Sequence, residues 1–575
     1  MRIHLSFLVA GYFRWVALVL LSASLTNWQA HAQAPAWQAV SATNAALGTA
    51  SSIIQYTAAD AVGNIIVGGT FTGTCTLGGT TLTSTGQHDL FVAKWSPASN
   101  SYLWVQQAGS AQEDYLYGLA VSGLNVYLAG QFRGTAASFG SINLRNSSVA
   151  PFDTDGFVAK ITDAGSTSSF GWAQLIGGTD NELVESLAVS GSNVYVGGDF
   201  GSPVLMLGGG SLSTNASGDD GFVAKFTDGG SSPTFRWVLG CGSVVDSGSI
   251  GFYGLAVQGN TVYAAGLLAN TVSVGGVSLT SVGRYDVVAA RINDAGSIAY
   301  FTGGVRAGGS GNENVNGLIA TSNGIYVSGF SASASSTWGS TALNSLGGMD
   351  GFVAKLIDTD GVLSFSWARL LGGPGADRTY NLAANGNNVY ATGLFTGPAT
   401  FDTTTLAGAG GTDGYVVKLT DAGTSSSVAW VQQSGGAGND VNYAVALSGT
   451  GVYVGGSVTP VASFGALLVT SPVGTTTATL AELADPTILA TTTAAARPIS
   501  SLVIYPNPAH GSVTVQIGAK NDKYVLTLQD ALGREVRCYL PPASSATTTT
   551  LSLLGLPAGL YVLRNGPNSQ KLQVY

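Results

Sequence analysis

Three observations predict an all-β chain, a seven-bladed β-propeller followed by a small Ig-like β-sandwich. A unit recurs seven times with steps of 61 to 68 residues, strand and turn formers dominate the composition, and the order of the repeat markers joins one end of the array to the other. Hydrophobic residues make up 45% of the 575, enough for a large core, and charged residues only 9%, too few for solvent-facing helices. No stretch carries sustained heptads.

One unit is read at 183–240. LVESLAVSG opens it, NVYVGGDF follows from Asn193, GDDGFVAKF ends at Phe226, and FRWVLG closes it at Gly240. These are four short strands separated by Gly, Asn, Asp and Ser turns. The second strand is marked by Ile66, Tyr127, Tyr195, Tyr263, Tyr326, Tyr390 and Tyr453. The third is marked by Lys94, Lys160, Lys225, Arg291, Lys355, Lys418 and, in a degenerate copy, Glu482. The fourth is marked by Trp37, Trp104, Trp172, Trp237, Tyr300, Trp367 and Trp430. Trp37 precedes the first complete unit and no such residue follows Glu482. The N-terminal strand is therefore expected to complete the last blade, which removes open edges. A linear solenoid would need polar caps instead. Each unit also carries an insertion between its second and third strands, such as SFGSINL at 138–144, read as an outer packing element.

LAVSG–NVYVGG, followed by DGFVAKL and a Trp strand, resembles the SBBP β-propeller repeats of bacterial extracellular proteins, over almost all of 37–484. The resemblance implies the fold and little about activity.

The N-terminus reads as a signal peptide over 1–32. Arg2 and Arg14 precede an apolar run from Trp15 to Leu25, and Ala30-His31-Ala32 supplies a cleavage site. That run is too short for a membrane helix. Residues 33–498 carry 14 basic and 28 acidic residues, an excess of acid that excludes nucleic acid as a natural partner. Cys75, Cys241 and Cys538 stand far apart and form no disulfide framework or metal motif.

Two acidic series are candidates for chemistry. Asp89, Asp155, Asp220, Asp286, Asp350 and Asp413 stand before the third strands, where Asp fixes turns by accepting backbone N–H groups. Glu113, Asp114, Asp180, Glu182, Asp246, Glu313, Asp377 and Asp440 follow the fourth strands and are expected on one face around the central channel. There they are either turn formers or a ring able to hold a hard cation. Asp180, Glu182 and Asp440 are the metal candidates and Ca²⁺ is the one cofactor considered. No catalytic residue is assigned. His88 is the only histidine of the repeat region and no nucleophile–base arrangement is readable.

Residues 485–498 read as an Ala/Thr-rich linker, and 499–575 as a separate β-domain. Its YPNP turn, its hairpin turn from Asp530 to Arg534 and its LPAGLYVL segment resemble the type A sorting domain of type IX secretion. The matching positions include Tyr505, Pro506, Asn507, Pro508, Asp530, Gly533, Arg534, Gly559 and Tyr561. The resemblance implies export through Sec and then across the outer membrane, with the secretion machinery as partner. The expectation is a secreted or cell-surface protein without enzymatic activity that binds a glycan or protein ligand. The rivals are a polysaccharide-acting enzyme and a structural surface-coat component.

Overall fold

The computed structural model describes residues 34–45, 50–148, 153–213, 219–242, 248–470, 475–488, 502–505, 507–517, 525–530, 534–539, 548–565 and 568–575. The expected signal peptide at 1–32, Asp246, Pro506 and Gly533 lie outside them. The described residues contain strands and no helix. They divide into two compact units, 1–489 and 490–575.

Unit one is a β-propeller whose described residues form seven large antiparallel sheets, four of four strands and three extended to six by an added hairpin, and the four-stranded part of each is taken as a blade. The first strands are Ser51–Ala59, Asp114–Ser122, Glu182–Ser190, Ser249–Gln258, Glu313–Thr321, Arg378–Asn385 and Val441–Ser448. Each packs on the next, and the seventh packs back on the first, so they form the inner wall of a ring. In the last blade Trp37–Ala42 pairs with Thr477–Ala484 and takes the outermost place. The second and third strands are buried almost throughout, as in FVAK from Phe157 to Lys160. A strand covered on both faces reads as a continuous apolar run rather than an alternating one.

The insertions fold as hairpins that reach the preceding blade. Ala136–Phe139 pairs with the fourth strand Ser101–Ser110, and Ser335–Trp338 pairs with Ala299–Gly309. These hairpins, with Ala462–Phe464 on Ser426–Gly436, cover outer edges that would otherwise present unpaired backbone.

Charged staples join neighbouring blades. In six blades the third strand carries a Lys or Arg whose cation meets an Asp ending the next blade's third strand. The pairs are Lys94–Asp163 (2.5 Å), Lys160–Asp228 (2.8 Å), Lys225–Asp294 (2.5 Å), Arg291–Asp358 (2.7 Å), Lys355–Asp421 (2.6 Å) and Lys418–Asp485 (3.0 Å). The same Asp accepts the indole N–H of the fourth-strand Trp, as Trp172 donates to Asp228 at 2.9 Å. At every stapled joint but that of Asp163, where Ile66 stands in place of the Tyr, it also accepts the second-strand Tyr hydroxyl, as Tyr127 donates to Asp228 at 2.8 Å; Asp228 further accepts the backbone N–H of Gly230. At four of these joints burial alone would raise the carboxyl, and the donors more than offset it. Asp228, Asp294 and Asp421 lie below the ordinary value and Asp485 is held at about 2.

The fourth blade departs from the marker series. Tyr300 is not the counterpart of the fourth-strand Trp: it pairs with Asn293 and is 51% exposed, while Gly303 stands opposite Arg291. With no indole there, the larger Arg291 guanidinium occupies the joint and also donates to Thr302.

The closing joint has no staple. Glu482 replaces the Lys and Pro97 stands where the next blade would carry the Asp. An apolar cluster including Ile54, Phe71, Tyr453 and Leu480 fills this joint. Asn44–Ala45 pairs with Cys75 and Thr76, so the closing segment bridges the last blade and the first.

The linker expectation begins too early. Asp485 accepts Lys418 and Trp430, and Ile488 is 2% exposed in the last blade's core, so 485–488 belong to the propeller.

Unit two has a three-stranded sheet (Leu502–Tyr505, Ser512–Ile517, Thr548–Ser552) and a four-stranded one (Glu535–Tyr539, Leu526–Gln529, Gly559–Asn565, Asn568–Val574). Val513, Val515 and Leu551 of the first share a core with Leu526, Leu528, Leu563 and Leu572 of the second. This is sandwich packing.

Candidate functional site

Every first strand breaks register once against its second strand. The unpaired residues are Gln55, Tyr117, Glu185, Tyr253, Asn316, Tyr380 with Asn381, and Tyr443. A bulge inserts one residue and re-aims its side chain. Here the bulges deliver aromatic and polar side chains to the innermost strands. The residue after the bulge is often small, because the next blade lies against it. A Cβ on Gly118 would stand 2.5 Å from Leu187 Cβ, and one on Gly254 2.7 Å from Leu318 Cβ.

Two connected hollows result. One, of about 230 Å³, is lined by Tyr56, Tyr117, Tyr253, Asn316 and Asn381. The other, of about 240 Å³, is lined by Tyr56, Tyr117, Glu185, Tyr253, Asn314 and Asn316. Beside Glu185 lies Asp199 of the neighbouring second strand, and the two carboxyls are within hydrogen-bonding reach of each other. Glu185 Oε2 and Asp199 Oδ1 are shielded from solvent, and neither meets a donor outside the pair. Burial first, and then the charge of Asp199, push Glu185 well above its ordinary value. Burial, with Asp219 adding, pushes Asp199 to about 7. The pair therefore holds a shared proton near neutrality. Burial also raises the hydroxyls of Tyr56, Tyr117 and Tyr253, which the charge of Glu185 raises further. These phenols stay protonated donors.

The acidic series form a second set of carboxyl pairs, one at each of five blade joints. They are Asp89 with Asp114, Asp155 with Glu182, Asp286 with Glu313, Asp350 with Asp377, and Asp413 with Asp440. All ten residues are at most 1% exposed. Each caps backbone: Asp114 accepts Ser110 N–H at 2.6 Å and Asp440 accepts Gly436 N–H at 2.7 Å. A glycine at the end of the fourth strand admits them. A Cβ on Gly435 would stand 2.3 Å from Asp413 Oδ1 and 2.9 Å from Asp440 Oδ2. Burial, with the like charge of the partner adding, raises Asp114 to about 7 and Asp377 and Asp440 to about 6. At one joint the chain supplies its own cation, Arg306 on Asp286.

This geometry corrects the expected ring. Glu182 faces Asp155 and Asp440 faces Asp413 at separate joints, while Asp180 is exposed. Asp180, Glu182 and Asp440 do not converge on one ion. Among the described residues no group of three or more His, Cys, Asp or Glu is placed to hold a metal. The carboxylates are drawn inward because their N–H partners are the buried turns between strands. His88 stacks on Tyr115 at 5.7 Å.

In the sandwich, Asn507 substitutes for a strand partner: its Nδ2 donates to Lys571 O at 2.7 Å and its Oδ1 accepts Gln573 N–H at 2.9 Å. Pro508 follows it directly. Asp530 closes its hairpin by accepting the backbone N–H of Arg534 at 3.0 Å and its guanidinium at 2.7 Å. Tyr561 donates to Pro557 O at 2.8 Å, and Gly559 opens that strand. Tyr505 ends the first strand.

Residues 503–574 match the family described as the secretion system C-terminal sorting domain. No curated protein matches the chain. Solved structures with similar folds include a putative 6-phosphogluconolactonase from Bacteroides uniformis ATCC 8492, at 10% identity and TM-score 0.27, covering 60% of this chain and 94% of that one. Drosophila Semaphorin 1b, extracellular domains 1–2, matches at 8% and 0.34, covering 79% and 88%. Trypanosoma rangeli sialidase in complex with sialic acid matches at 9% and 0.25, covering 78% and 87%. Scores this low carry no weight for function, and the propeller rests on the strand pairing.

Proposed function

We propose that this protein is an extracellular binding module without enzymatic activity, whose propeller takes its ligand at the central channel. The C-terminal sorting domain marks the chain for type IX secretion to the cell surface or the medium. An N-terminal Sec signal and membership of the SBBP repeat class belong to the same proposal. The observation that supports a channel site is the recurrent bulge, which places Tyr117, Glu185, Tyr253 and Asn316 at the innermost strands. Aromatic faces with a few convergent polar groups are the composition of ligand pockets.

The rival, glycoside hydrolysis by paired carboxyls, fits the channel poorly. Glu185 and Asp199 share a hydrogen bond, whereas that chemistry spaces its carboxyls about 5 Å or more apart. The test is binding of the full chain to a broad glycan array, with Ca²⁺ and with chelator. Specific binding that Tyr117→Ala weakens supports the proposal. Hydrolysis of an arrayed glycan, or binding that is indifferent to Tyr117, contradicts it.

A further inference from the structure

We propose that the hollow beside Glu185 and Asp199 binds a small organic cation, an amine or quaternary ammonium group, held by the carboxyl pair and the faces of Tyr56, Tyr117 and Tyr253. This rests on the reading of the channel as the ligand site and names the class of ligand.

The argument begins with what the chain does elsewhere. It buries two kinds of inter-blade carboxylate: six staple aspartates each meet a Lys or Arg, and the joint pairs, of which only Asp286 has a cation, are capped by backbone and hydroxyl donors. At Glu185 and Asp199 it gives no cation: among the described residues lining the hollow there is no Lys or Arg. Glu185 and Asp199 hydrogen-bond to each other, and neither Glu185 Oε2 nor Asp199 Oδ1 meets a donor outside the pair. The backbone caps that satisfy the joint pairs are replaced here by an open hollow, which points to a donor supplied from outside the chain. The walls specify the kind of donor. Rings from the first, second and fourth blades gather around the same carboxyls, since all three hydroxyls feel the charge of Glu185. Aromatic faces attract ammonium groups and gain most where water is excluded. At about 240 Å³ the hollow suits a small head group rather than a glycan chain. A bare divalent ion would want six or more oxygens, which tyrosine faces do not supply. A neutral sugar could bond the Asn and Tyr groups but would leave the pair's charge unmet.

Binding would exchange one cation for another. Where Asp199 is protonated, its proton leaves for solvent as the ammonium group enters, Glu185 keeps the shared proton, and the ligand keeps its own protons. The groups facing the pair are Tyr56, Tyr117, Tyr253 and Asp219, with Tyr285 beyond Tyr253. Of the two carboxyls, Asp199 changes state near neutrality, at about 7, so affinity should rise with pH across that value.

The test is titration calorimetry on the full chain with n-butylammonium and tetramethylammonium, at a pH below and a pH above 7. The expected result is saturable binding, tighter at the higher pH, with proton release seen as a dependence of the heat on buffer ionisation. Tyr117→Leu, which keeps the carboxyls, and Asp199→Asn should each weaken binding by about tenfold or more. If melting shows that Asp199→Asn does not fold, Glu185→Gln makes the same comparison. Three outcomes overturn the proposal. If only neutral monosaccharides bind and Tyr117→Leu abolishes it, the channel reading stands and the cation falls. If Ca²⁺ alone binds, sensitive to Asp199→Asn and not to Tyr117→Leu, the site is inorganic. If neither cations nor sugars bind at the channel, both readings fall together.

Discussion

At the residue scale, one aspartate at each of four joints, Asp228, Asp294, Asp421 and Asp485, gathers donors from three strands of the neighbouring blade. Asp228 accepts from Lys160, Trp172 and Tyr127, all in the preceding sheet. Removing one member of a buried pair leaves the other charge uncompensated, at a cost of about 3–5 kcal/mol. Asp228→Ala should therefore lower stability by about that amount in chemical unfolding, with Lys160→Met less harmful than Lys160→Ala because the stem still fills the joint. An Asp228→Ala protein as stable as wild type would show that the staple contributes nothing. The same scale explains what reading the chain alone misses. Asp163, Asp228, Asp294 and Asp421 each sit three residues after the marker Lys or, for Asp294, Arg291, in an Asp-x-Gly segment that reads as a turn. Their partners lie 66 to 69 residues away, beyond any local pattern.

At the element scale, strand periodicity and turn residues make the blades legible, because alternation and Gly-rich turns are local properties. The bulges are not legible in that way. Tyr117 and Tyr253 look like ordinary apolar positions, and only the register against Leu116↔Gly130 and Phe252↔Gly266 shows them unpaired. A weak signal exists in the small residue that follows, as in Tyr117-Gly118, Glu185-Ser186, Tyr253-Gly254 and Asn316-Gly317. The acidic series were legible as repeats, but their pairing across joints was not, since Asp413 and Asp440 belong to different blades. Closure is an element-scale property too. Trp37–Ala42 holds the outer place of a blade whose joint has no staple. Deleting 34–45 should release cooperative unfolding of the last and first blades at lower temperature, as followed by hydrogen exchange. Unchanged exchange in 441–458 would contradict the role given to this strand.

At the scale of the whole molecule, two sets of carboxyls give opposite pH dependences. The staple residues Asp228, Asp294, Asp358, Asp421 and Asp485 are depressed, Asp485 to about 2, so their stabilisation is present above the ordinary carboxyl value and is lost as pH falls toward that figure. In the joint pairs Asp377 and Asp440 are raised to about 6 and Asp114 to about 7. Their stabilisation is present at acidic pH and is lost as pH rises through those values. The melting temperature should therefore peak near the ordinary carboxyl value and fall from there to about pH 7, and Asp440→Asn should flatten that fall. A melting temperature that rises steadily from mild acid to pH 8 would contradict the assignment of protons to these pairs. Export is a property of the whole chain as well. Removing 499–575 should leave the propeller behind the outer membrane, and normal surface delivery of the shortened chain would contradict the role of the sorting domain.

The central claim is that the channel, and not the blade edges, meets the ligand. Hydrogen exchange of the full chain, with and without the tightest-binding member of the glycan array, tests it most directly. The account predicts slowed exchange in the first strands 114–122, 182–190 and 249–258, which carry Tyr117, Glu185 and Tyr253. Slowing confined to outer hairpins such as 136–145, or to 548–574, would contradict it.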